Sequence, residues 1–79
     1  MLDKAELRSI LKVYIRESDS LERAFLEPDT DLFKLGLDSM GAFALLDDLA
    51  DRGLDLEFTD LLAHPTLTFL REKIAEAGL

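Results

Sequence analysis

The apolar residues near the start of the chain repeat with a helical period. Within residues 3–17, Leu7, Ile10, Leu11, Tyr14 and Ile15 fall at i, i+3, i+4, i+7 and i+8, one face of an amphipathic helix. Asp3 followed three residues later by Glu6 resembles a capping box with Asp in the place of Ser or Thr. The same period predicts a second helix over residues 39–52, burying Ala42, Leu45, Leu46 and Leu49. Asp38 or Ser39 is its cap and Gly53 its stop. Its other side carries Met40, Phe43, Ala44, Asp47, Asp48 and Asp51. A short third helix fits residues 59–63, ended by His64-Pro65, because a residue before proline avoids helical angles. A fourth starts near Thr66, buries Leu67, Leu70 and Ile74, and closes at Gly78. Strand-like alternation is confined to residues 54–58. The expected fold is an all-α bundle of four helices, the third of them short.

Residues 18–38 break the pattern. Residues 21–26 have enough apolar character for a turn of helix, but Pro28 and the cluster Asp29-Thr30-Asp31 read as loop. So long a loop is unusual in a small domain. Leu32, Phe33, Leu35 and Leu37 supply the reason to accept it, since they can pin the segment onto a core.

Composition narrows the function. The 79 residues, 48% of them hydrophobic, make one domain spanning 1–79 with a small core. There is no cysteine, so any thioester chemistry needs a sulfur from outside the chain. Nine basic against seventeen acidic residues give a net charge of −8, which repels nucleic acid and favours basic protein surfaces as transient partners. The opening residues lack the basic and apolar regions of a signal peptide, and no apolar run is long enough to span a membrane. A soluble, cytoplasmic monomer is expected. One histidine and no cysteine, with no calcium-loop spacing among the acids, give no metal site.

Ser39 is the residue to explain. It stands where the pinned loop becomes a helix, behind Gly36-Leu37-Asp38. Helix N-termini hold unpaired amide N–H groups and partial positive charge, which favour a phosphate esterified to a serine there. Gly36 permits a turn that a side chain resists, and Leu37 can anchor the loop. The simpler reading is that Ser39 only caps the helix. A serine hydrolase needs a base and an oxyanion hole on a shielding scaffold, which so short a chain with His64 alone does not supply. A helical interaction module accounts for the amphipathic helices but not for a loop converging on Ser39.

The wider run Asp31-Leu32-Phe33-Lys34-Leu35-Gly36-Leu37-Asp38-Ser39-Met40 resembles the attachment site of acyl and peptidyl carrier proteins. In that family an aromatic residue leads to Leu-Gly-x-Asp-Ser and a large apolar residue. The resemblance extends over nearly the whole chain, including the first amphipathic helix, the long loop and the Pro65-Thr66 before the last helix. It implies a non-catalytic carrier of the four-helix acyl carrier type. A phosphopantetheinyl transferase using Mg²⁺ and coenzyme A attaches 4'-phosphopantetheine to the Ser39 hydroxyl, and the thiol of that arm carries a thioester. Asp38 matches the Asp before the serine and helps place the transferase or its metal, unless it is an ordinary cap. The second helix is the implied docking face for loading, condensing and tailoring enzymes, through Met40, Phe43, Ala44, Asp47 and Asp51. For Phe43, burial in the core remains an equal alternative, and the aspartates also fit a merely solvated face.

As to subclass, Ala44 stands where fatty-acid carriers often have Glu. The stretch from Leu56 to Leu67 is similar to the third-helix region of peptidyl and aryl carriers of nonribosomal peptide synthesis. An aminoacyl or aryl cargo loaded by an adenylation enzyme is therefore expected. Acyl carriers of fatty-acid or polyketide synthesis and D-alanyl carriers are the alternatives.

Overall fold

A computed structural model describes residues 2–79. Five α-helices and one 3₁₀ turn make up its regular structure, and there is no strand among the described residues. Helix α1 is Lys4–Tyr14, and the Asp3 carboxylate accepts the Glu6 N–H at 2.9 Å. The helix ends earlier than its apolar period. Ile15 leaves helical angles yet stays buried, so the chain turns away while its apolar side chain still plugs the core.

The segment expected to be a loop with at most a turn of helix contains a nine-residue helix, α2, Ser18–Leu26. Leu21, Ala24 and Phe25 lie at i, i+3 and i+4, too short a repeat to stand out against the polar residues around it. Tertiary contacts hold it. Leu21 and Ala24 are buried, Glu22 pairs with Arg8 of α1 at 2.6 Å, and the cations of Lys4 and Arg8 sit 5.9 and 5.4 Å from the Phe25 ring.

The rest of the connection is pinned as expected. Asp31 accepts the Phe33 N–H at 2.8 Å and opens the 3₁₀ turn Leu32–Leu35. The Leu32 N–H donates to the Pro65 carbonyl at 2.7 Å, and the Thr68 N–H donates to the Pro28 carbonyl at 3.1 Å. Leu32, Leu35 and Leu37 are buried. The connection is thereby tied to the far end of the chain by both backbone and side chains.

Helix α3, Ser39–Asp51, buries Ala42, Leu45, Leu46 and Leu49, the predicted face. Arg52 and Gly53, with φ of +99°, end it. Helix α4 is Phe58–Ala63; Asp60 accepts the Glu57 N–H at 3.2 Å, and Leu61 alone of its residues is buried. Helix α5 is Leu67–Glu76, capped by Thr66 on the Phe69 N–H at 3.1 Å. It buries Phe69 as well as the predicted Leu67, Leu70 and Ile74. The core is wholly apolar among the described residues, so specificity rests on shape and on the caps.

Candidate functional site

Ser39 is the first residue of α3 and is exposed. The capping role left open by the sequence belongs to Asp38, whose carboxylate accepts the Gly41 N–H at 2.6 Å from an extended backbone (φ −103°, ψ 176°). Ser39 Oγ has no hydrogen-bond partner among the described residues, so its hydroxyl is not committed to holding the helix.

Three neighbours set this geometry. Gly36, with φ of +108°, ends the 3₁₀ turn and sends the chain toward α3. Leu37 is 2% exposed, and its N–H donates to the Leu32 carbonyl at 3.1 Å. Gly41, to which the sequence pattern assigned no role, permits the close approach. A Cβ there would lie 3.0 Å from Asp38 Oδ1, 3.4 Å from a Leu37 methyl and 3.9 Å from Tyr14 Cβ. With Leu37 buried on one side of Ser39 and Ala42 on the other, the serine between them faces outward.

Tyr14 fixes α3 against α1. Its hydroxyl reaches the Ala44 carbonyl and Asp48 Oδ2, each at 3.3 Å, and Asp48 also pairs with Arg52 at 3.1 Å. Burial, reinforced by the negative charge of Asp48, pushes the Tyr14 phenol above its usual value, so it remains a neutral donor. Asp48 therefore has a structural task. Asp47 and Asp51 are exposed and take no part in an ion pair among the described residues. Between Asp38 and Asp60 lie seven of the seventeen acidic residues and one of the nine basic ones, a local charge of −6.

An apolar patch adjoins Ser39. Met40 is 82% exposed and Phe43 54% exposed, one turn further along α3. Phe43 is thus not a core residue. Its ring stacks on Phe58 of α4 with centroids 4.2 Å apart and planes 13° apart. Leu62, one turn beyond Phe58, is also exposed. Met40, Phe43, Ala44, Asp47 and Asp51 are all exposed on α3, which for Phe43 decides between the two places the sequence left open. Phe58 joins them from α4 by its stack on Phe43, a contact between helices that the sequence period of either one does not encode, with the exposed Leu62 one turn beyond it.

His64 closes α4 and stacks on Phe69 at 5.5 Å, and no hydrogen bond links it to Ser39. No metal-binding cluster is present among the described residues, nor is any helix long and apolar enough to cross a membrane.

The fit to 4'-phosphopantetheine can be judged on Ser39 itself. The residue is exposed, its hydroxyl is uncommitted, and it stands at the positive end of a thirteen-residue helix. A phosphodiester on that oxygen would be favoured by the helix end. No curated protein and no solved structure matches the chain significantly. Residues 5–72, most of the chain, match the family profile described as phosphopantetheine attachment site. The chain therefore belongs to that family, whose members are non-catalytic carriers holding 4'-phosphopantetheine covalently.

Proposed function

We propose that Ser39 is the attachment residue and that residues 1–79 act as one carrier domain for an aminoacyl or aryl thioester. The observation that carries this reading is the free Ser39 hydroxyl, exposed at the start of α3 because Asp38 has taken the cap. In the loading step Ser39 Oγ attacks the β-phosphorus of coenzyme A. Adenosine 3',5'-bisphosphate leaves, and the hydroxyl proton passes to a base of the transferase. Asp38 holds the first turn of α3 through Oδ1, and its second oxygen is left to help place the transferase or its metal. The arm, once attached, supplies the thiol that this cysteine-free chain lacks.

The partner face consists of Met40, Phe43, Phe58 and Leu62, with Ala44 leaving room beside them and Asp47 and Asp51 on the rim. A matching enzyme surface has an apolar hollow edged by Lys and Arg. Ala44 in place of a glutamate, and the similarity of residues 56–67 to peptidyl and aryl carriers, support an adenylation enzyme as the loading partner. Condensing or tailoring enzymes of nonribosomal peptide or related secondary metabolism would follow. Use of coenzyme A fits a cytoplasmic protein.

Intact-protein mass spectrometry after incubation with coenzyme A, Mg²⁺ and a broad transferase tests the attachment. The wild type gains one arm and Ser39→Ala gains none. A wild type left unmodified by several transferases overturns the reading.

A further inference from the structure

We propose that the bundle is closed to the cargo, with the Phe43–Phe58 stack as the seal, so that the thioester-linked group stays outside and is short, polar or aromatic. This rests on Ser39 as the attachment residue and deepens that reading. The hollow on one side of Ser39, lined by Tyr14, Arg16, Glu17, Lys34 and Asp38, is mainly polar. On the other side, an apolar group on a flexible arm at the start of α3 has a short route to apolar shelter at the seam between α3 and α4. At its mouth Phe43 and Phe58 are in ring-to-ring contact, with 4.2 Å between centroids and nearly parallel planes. Nothing can pass between rings so placed.

The interior behind them is also full. Ala42, Leu45 and Leu49 of α3, Leu61 of α4 and Leu67 and Leu70 of α5 have 0% exposure. Zero exposure excludes more than access from bulk solvent. A sphere the size of water finds no place against these side chains, even in an enclosed void. A polymethylene chain is wider than that sphere, so entry requires both breaking the stack and driving apart packed leucines. A long alkyl chain kept outside would expose its whole apolar length to water. Aminoacyl, short hydroxyacyl and aryl groups have little or rigid apolar surface and tolerate that position. Met40, Phe43 and Leu62 offer such a group an outer apolar surface.

The test loads the apo protein through a transferase with coenzyme A, acetyl-coenzyme A or octanoyl-coenzyme A, each to completion as judged by intact mass. Failure to gain mass refutes attachment itself, a result distinct from the one sought here. For the loaded proteins, thermal midpoints and amide exchange at Leu46 and Leu61 are compared. The proposal expects the three midpoints to coincide within about 1 °C and exchange to be unchanged. A midpoint that rises from acetyl to octanoyl, with slowed exchange at Leu61, shows the chain inside and overturns the proposal. In Phe43→Ala the space vacated by the ring gives the octanoyl chain a place at the mouth against Phe58 without displacing the leucines, so the octanoyl form should become more stable than the acetyl form. Absence of that difference overturns the role of the stack as the seal.

Discussion

Asp38 and Gly41 form a coupled pair, and a double-mutant cycle on them measures the geometry that frees Ser39. Asp38→Ala removes the carboxylate that accepts the Gly41 N–H at 2.6 Å. Loss of such a cap costs about 1 kcal/mol. Glycine to alanine within a helix ordinarily gains about 0.8–1.0 kcal/mol. At position 41, however, the new Cβ would lie 3.0 Å from Asp38 Oδ1. The flexible carboxylate can swing away, but only by abandoning its bond. Gly41→Ala in the wild type therefore exchanges a cap for a propensity gain and ends near zero. In the Asp38→Ala background the cap is already gone, and the same substitution stabilises by nearly 1 kcal/mol, a coupling of about 1 kcal/mol. Urea titration followed by circular dichroism resolves this. With a slope of about 1 kcal/mol/M for so small a domain, the coupling is a midpoint difference of about 1 M. Additive effects of the two substitutions would refute the close approach of Asp38 to Gly41, and with it the reason Ser39 is left uncommitted.

Leu61 is the one buried residue of the six-residue α4, so Leu61→Ala should cost about 2–5 kcal/mol and release α4 first, seen as faster exchange of its amides than of those in α1. Tyr14→Phe removes one hydroxyl proton shared between the Ala44 carbonyl and Asp48 Oδ2, each at 3.3 Å, and should cost about 0.5–1.5 kcal/mol near neutral pH. Because the folded phenol titrates above its usual 10.0, the unfolded chain loses this proton first as pH rises; the wild type should lose stability above pH 10 more steeply than Tyr14→Phe in denaturation at several alkaline pH values. Asp47→Lys with Asp51→Lys should slow loading several-fold without loss of helicity and weaken its salt dependence, measured as initial rates at two ionic strengths.

Much of the fold was legible where a helix carries its buried face in its own sequence. The periods of Leu7-Ile10-Leu11, Ala42-Leu45-Leu46-Leu49 and Leu67-Leu70-Ile74 all point inward. Helix α2 was not legible as more than a turn, because four apolar residues in nine, crowded at its C-terminal end, need Arg8 and the α1 surface to become a helix. The start of α3 was read correctly, but its cap lay between Asp38 and Ser39. Only the 2.6 Å bond to Gly41 decides between them. Gly41 itself carries no local signal of importance; its role appears when the positions of Asp38, Leu37 and Tyr14 around it are known. Phe43 stood between core and surface because its partner, Phe58, lies on another helix. Half of the apolar patch was hidden for the same reason.

Residue-level localisation of the arm tests the central claim most directly. The protein is isolated from its own cells or loaded with coenzyme A, then digested, and its fragments, among them the one spanning residues 35–52, are sequenced by tandem mass spectrometry. The account predicts a single added phosphopantetheine on Ser39, with any cargo released by thioester cleavage. An arm found on Ser18, Ser20 or Thr30, or on no residue at all, would contradict it.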